Sequence, residues 1–261
     1  MKSDQELIKK LRSNTLKCVI FDFDGTVYDI KEPLEDAVKE VIESYNIQAD
    51  EELLLQEIAA IIESIQAHPI PKIILQSYDI FNQVTALSDI RFLKKLKIAA
   101  KMFTKYQANA KESSVFASVE PVVQHFKKAA EIIIVSHNQT AHIEDHLEKA
   151  RLTSYFDKIY GADKLEALKP DPRVFDFFLE KEEGYSPKDI VVIGDMPTDI
   201  QAGNEAGFWT IAVQSGITSR DMLANYGPDL LLNNLGELLA ILKNEDQLPS
   251  KSKINKAKVK M

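Results

Sequence analysis

Five short apolar runs punctuate the chain: KCVIFDF (17–23), EIIIVSH (131–137), DIVVIGD (189–195), WTIAVQS (209–215) and PDLLLNN (228–234). Each is continuous rather than alternating. That is the pattern of strands covered on both faces, as in a parallel sheet. Segments with helical character lie between them. QTAHIEDHLEKA follows the second run, DPRVFDFFLEKEEG precedes the third, and TDIQAGNEAG follows it. Pro172 is placed for a helix start and Gly184 for its end. Strand and helix in alternation predict right-handed βαβ units, hence an α/β fold with a doubly wound, Rossmann-like parallel sheet core. Leu7, Ile8 and Leu11 predict a short N-terminal helix.

The stretch from Ile30 to about Ser118 breaks this rhythm. It holds no convincing strand and is far longer than an ordinary connection. Leu54, Ile58, Ile61, Ile62 and Ile65 recur at helical spacing, as do Phe92, Leu96, Ala99, Phe103 and Tyr106. HPIPK (68–72) separates the two halves. The expected organisation is a discontinuous core, 1–29 and 119–243, with an all-helical domain inserted at 30–118 and a tail at 244–261. Pro121 is expected at the first position of the helix that reopens the core. The tail ends QLPSKSKINKAKVKM, with five lysines and few large apolar residues, and is expected to be disordered.

Composition narrows the function classes. A net charge of -8 argues against general nucleic-acid binding. The single cysteine, Cys18, lies in an apolar run, so disulfide scaffolding is excluded and a reducing compartment is expected. No apolar stretch is long enough for a membrane span, and the first residues lack the apolar run of a signal peptide. A cytoplasmic protein, monomer or homodimer, is expected.

The chemistry gathers where an open parallel sheet binds ligands, beyond the carboxyl ends of its strands. Asp22, Asp24, Gly25 and Thr26 end the first run, and Ser136, His137 and Asn138 end the second. Asp195 ends the third, with Asp199 four residues on, and Lys169 precedes a helical segment. Carboxylates converging from separate loops call for a cation, and an oxygen-only set suits Mg²⁺ shared with a substrate phosphate. Ser136 and Lys169 are donors suited to phosphoryl oxygens. No Gly-rich phosphate loop with Lys-Ser/Thr is present, which argues against a Walker-type nucleotide cradle. One aspartate could attack phosphorus while another handles the proton.

These motifs together resemble the haloacid dehalogenase superfamily. DFDGT (22–26) is similar to its first motif, Ser136 to the second, Lys169 in KPDP to the third, and GDMPTD (194–199) to the fourth. The resemblance spans about 17 to 243. It implies Asp22 as the nucleophile forming an aspartyl-phosphate and Asp24 as general acid/base, with its backbone carbonyl on Mg²⁺. It implies Ser136 and Lys169 on the phosphoryl oxygens, Asp195 and Asp199 on Mg²⁺, Thr26 shaping the loop and Gly25 its tight turn. Asn138 is a further candidate beside the phosphate. The helical insertion resembles the family's C1-type cap, as in phosphoglycolate phosphatase-like members, with Tyr28, Asp29 and Ile30 at one crossing and Val119–Glu120 near the other. His137 departs from the usual small or amide residue after the second-motif serine; it could reach the leaving group or simply pack. Met196 and Pro197 are also unusual within the fourth motif.

The implied function is a Mg²⁺-dependent phosphatase acting on a small phosphorylated substrate. A phosphomutase and a non-catalytic phosphate-binding protein on the same fold remain the alternatives. Two further features have plainer readings. His142 and His146 share a metal-ligand spacing but suit a solvated helix face. RFLKKLKIAAKMFTK (91–105), with six basic residues and no acid, suits a solvated face or a surface drawing in anions.

Overall fold

The computed structural model describes residues 2–47, 54, 57, 90–110, 114–176 and 185–244. Its strands are β1 (Cys18–Phe21), β2 (Glu131–Val135), β3 (Lys158–Tyr160), β4 (Ile190–Gly194), β5 (Trp209–Val213) and β6 (Leu230–Leu232). They form one six-stranded sheet, order β3-β2-β1-β4-β5-β6, with every adjacent pair parallel. β1 is central, its Phe21 level with Ile134 of β2 and Ile193 of β4. The chain fills the sheet to one side of β1 and then returns to the other, so the topological switch lies at β1 and β4.

Two-sided burial explains the continuous apolar runs. Val19 and Phe21 of β1 face a cluster with Ile132, Ile134, Val191, Ile193 and Ile211. Helices α1 (Lys2–Ser13), α4 (Val119–Phe126), α5 (Thr140–Lys149) and α8 (Leu235–Leu242) cover it through Leu7, Leu11, Val122, Phe126, Ile143, Leu147 and Leu238. Cys18 and Ile20 face the opposite cluster, covered by Val174 and Phe175 of a 3₁₀ turn and Ala202 of α6 (Pro197–Glu205). Each fully buried side chain of this size contributes about 1.5–3 kcal/mol. A short α7 (Arg220–Asn225) packs Leu223 beside Ile200 and Ala212. No helix among the described residues is long and apolar enough to cross a membrane.

Two longer helices, α2 (Lys31–Tyr45) and α3 (Phe92–Ala110), pack against each other around their own cluster of Leu34, Val38, Val41, Ile47, Leu54 and Ile98. Met102, Tyr106 and Ile217 join its edge. Asp29 Oδ1 accepts hydrogen bonds from the N–H groups of Lys31 (2.9 Å) and Glu32 (3.2 Å), satisfying donors that the first turn of α2 would leave orphaned. The two chain crossings lie side by side: Asp29 N–H donates to Ser114 O (3.1 Å) and Phe116 N–H to Val27 O (3.0 Å).

Several expectations shift. β3 was not foreseen; three half-buried residues are too few to show a period. α4 begins at Val119, so Pro121 is its third residue, still within the first turn where its missing N–H costs nothing. The basic face of α3 is only partly solvated. Lys95 is buried, Lys94 and Lys101 lie over the Tyr45 ring, and Lys105 pairs with Glu40, because α3 lays this face along α2. His142 is exposed, as read, but the His146 ring sits 4.3 Å from that of Tyr28, which stacks on Phe23. Ile58, Ile61, Ile62, Ile65, the break at 68–72, Phe177, Phe178, Gly184 and the lysine-rich stretch from 245 onward lie outside the described residues, as do the side chains of Phe92, Leu96, Ala99 and Phe103.

Candidate active site

The carboxyl ends of β1, β2 and β4 deliver Asp22, Ser136 and Asp195 to one place. Asp22 N–H still bonds Ile193 O (2.9 Å), so the strand ladder itself fixes the carboxylate. Beyond it the chain turns tightly: the N–H groups of Val27 and Tyr28 both donate to Phe23 O at 2.9 Å. Gly25 takes φ +82° in this turn, and a Cβ there would stand 2.3 Å from Asp195 Oδ2.

Lys169 organises the centre. Its Nζ donates to Asp22 Oδ1 (2.6 Å), Asp199 Oδ1 (2.5 Å) and Val135 O (3.0 Å), using all its N–H bonds while only 3% exposed. Asp199 sits in the first turn of α6 and its Oδ2 accepts from Met196 N–H (3.0 Å). Thr26 donates to Asp195 Oδ1 (3.2 Å). Asn138 donates its amide to both oxygens of Asp24 (3.2 and 3.1 Å), which places it beside the second aspartate. Asn138 N–H donates to Ser136 Oγ (3.2 Å).

A recess of about 40 Å³ lies among these groups, lined also by Ile30, His137, Met196, Thr198 and Ile217. The last of these belongs to the loop after β5, which the sequence reading left out. In that loop Ser215 donates to Gly25 O (2.7 Å), and a Cβ on Gly216 would fall 1.7 Å from Asp195 Oδ2. A glycine in a loop carries no sequence signal of such an approach.

The charges do not balance. Among the described residues one ammonium, that of Lys169, faces several buried carboxylates. Burial, opposed by Lys169, lifts Asp22 to about 8. Burial raises Asp24 despite the Asn138 amide, and burial with the charges of Asp22 and Asp199 raises Asp195 well above the carboxylate range. Lys169 itself is raised by Asp199 and Asp22 against the cost of burial. Burial, and then the charge of Asp24, raise the Tyr106 hydroxyl, so α3 reaches the site. Asp195 Oδ2 is buried without a hydrogen-bond partner, and one oxygen each from Asp22, Asp195 and Asp199 lie within 4.8 Å of one another. This oxygen set, short of positive charge, fits a hard cation.

The family model of the haloacid dehalogenase-like hydrolases matches residues 19–213, from β1 through β5. The chain belongs to that family. This haloacid dehalogenase-like hydrolase is 24% identical over 230 residues to a phosphoglycolate phosphatase of Haemophilus influenzae, covering 87% of this chain and 98% of the relative. It is 32% identical over 128 residues to the pyrophosphatase PpaX of Bacillus mycoides, covering 49% and 59% respectively. Among solved structures it is similar to a predicted phosphoglycolate phosphatase from Haemophilus somnus, TM-score 0.62 and 21% identity, over 87% of this chain and 98% of that one. The hydrolase is thus phosphoglycolate phosphatase-like, an enzyme whose relatives are phosphatases.

Proposed function

We propose that this hydrolase is a Mg²⁺-dependent phosphatase of a small phosphomonoester, working through an aspartyl-phosphate on Asp22. The observation that carries the reading is the Asp22–Lys169–Asp199 contact at the end of the central strand, facing Asp24 across the recess. Asp22 attacks phosphorus and the bond to the ester oxygen breaks. Asp24 gives that oxygen a proton, a task its raised pKa suits. Asp24 then takes a proton from the water that attacks the phosphoryl group, and Asp22 is released with inorganic phosphate. Ser136 and Lys169 hold the phosphoryl oxygens, Thr26 and Gly25 keep the turn that aims Asp24, and Asn138 fixes its carboxylate. Asp22, Asp195, Asp199 and the Asp24 main-chain carbonyl would hold Mg²⁺, which supplies charge stabilisation to the transferring group when bound.

The segment 30–118 is proposed to act as a cap. It has a cluster of its own, it leaves and rejoins the core through adjacent segments, and Tyr106 senses the charge of Asp24. Relatives of this chain are named for an organic phosphate and for pyrophosphate, so the family leaves the substrate open between these classes.

The test is phosphate release from an aryl phosphate with and without Mg²⁺. The wild type turns over only with the metal, and Asp22→Asn loses on the order of a thousandfold or more. Robust Mg²⁺-dependent turnover by Asp22→Asn, free of deamidation and contaminating phosphatase, would remove the nucleophile.

A further inference from the structure

Tyr28 holds both neighbours of Asp24 through its main chain. Its N–H donates to Phe23 O (2.9 Å) and its carbonyl accepts from Gly25 N–H (2.8 Å), so the residues on either side of the aspartate hang on residue 28. Asp24 and Tyr28 form an isolated β-bridge, and Tyr28 forms a second with Val115, on the segment that returns from the helical insertion. The side chain is 4% exposed and fixed from two directions. Its ring stacks on that of Phe23, centroids 5.5 Å apart and 4° from parallel, and lies 4.3 Å from the His146 ring of α5. Its hydroxyl donates to the carbonyl of Ala110, the last residue of α3. A carbonyl at that position has no donor within its own helix, so one from outside is well used there. Phenylalanine would fill the same space between Phe23 and His146. What the hydroxyl adds is a bond to the helical insertion. Asn138 holds the carboxylate of Asp24, and the main chain beneath it is set by the turn that Tyr28 closes.

We propose that Tyr28 is a positioning residue that registers Asp24 against the end of α3, so that proton delivery to the leaving oxygen depends on the Tyr28–Ala110 hydrogen bond. This rests on the phosphatase reading, in which Asp24 gives that proton. An alkyl ester needs it, because an alkoxide leaves poorly without it. A 4-nitrophenyl ester does not, because 4-nitrophenolate is stable as the anion. Comparing the two in kcat/KM, which covers the steps through phosphoryl transfer to Asp22, isolates the placement of Asp24 from the rest of the site.

The experiment measures kcat/KM with Mg²⁺ for ethyl phosphate and 4-nitrophenyl phosphate in the wild type and in Tyr28→Phe, which keeps the ring and loses the hydroxyl. Ethyl phosphate is expected to lose about five- to tenfold, the worth of one hydrogen bond, and 4-nitrophenyl phosphate less than about twofold. An equal loss with both esters would mark a merely structural role, and no loss with either would mark none; each overturns the proposal. A second readout needs no turnover. Amide hydrogen exchange at Gly25, whose N–H is held by the Tyr28 carbonyl, is expected to speed up in Tyr28→Phe, while that of Asp22, held by Ile193 in the strand ladder, stays unchanged. Unchanged exchange at Gly25, or an equal rise at Asp22, overturns the proposal as well. Failure of the wild type to hydrolyse either ester would instead remove the phosphatase reading and the proton delivery with it, and exchange at Gly25 would still decide whether the hydroxyl holds the turn.

Discussion

Lys169 shows how far a single side chain can hold a site together. It is the shared partner of Asp22 and Asp199, and both contacts are buried. Its removal would leave carboxylates facing one another with no compensating ammonium. Breaking such a buried pair costs about 3–5 kcal/mol. Lys169→Met is therefore expected to lower the unfolding free energy of the metal-free protein by that order in urea titrations and to abolish turnover. Gly216 acts in the opposite way, by what it lacks. Gly216→Ala would drive a methyl group into Asp195 Oδ2, so the expected outcome is a tenfold or greater loss of apparent Mg²⁺ affinity, by about the worth of one displaced ligand. Titrating activity against Mg²⁺ checks it. Lys169, Asp22, Asp195 and Asp199 could be read from the chain because motif order and strand ends announce them. Gly216 could not, because the contact exists only once β5 has been laid beside β4.

At the scale of elements, legibility followed apolar composition: even the half-buried β6 shows as a run, because its three residues are leucines. β1, β2, β4 and β5 are covered on both faces and show as unbroken apolar runs. β3 has three half-buried residues and leaves no pattern to read. α3 was read through a stripe ending at Tyr106. Among its described residues Lys95 and Ile98 are buried, and Met102 packs against the cluster that Ile98 shares with α2. Asp29 was placed at the crossing into the helical insertion, and there its carboxylate accepts from the first N–H groups of α2. Asp29→Ala is expected to cost about 1 kcal/mol, as caps do. Hydrogen exchange checks the location: the amides of Lys31 and Glu32 speed up, while those of β1 and β4 do not.

The whole molecule carries a net charge of -8, and part of that excess is concentrated at the switch point of its sheet. Asp22 is raised to about 8 and Asp24 and Asp195 are raised as well, all from an ordinary 3.8. The metal-free folded state therefore keeps protons that the unfolded chain has already released. The stability this contributes is complete below about pH 4 and is lost as pH rises through the folded value near 8. A divalent cation binds the deprotonated carboxylates and reverses that loss, by roughly 2.7 kcal/mol at a hundredfold excess over its Kd. Calorimetry at about pH 5 and about pH 8, with and without Mg²⁺, reads both effects. The metal-free Tm is expected to fall across that interval, after correction against an Asp195→Asn variant for charges elsewhere. The Tm gain from Mg²⁺ is expected to be small at the lower pH and large at the higher. A gain independent of pH would mean that these carboxylates are already ionised without the metal, and Lys169 with the local dipoles would then suffice to hold them.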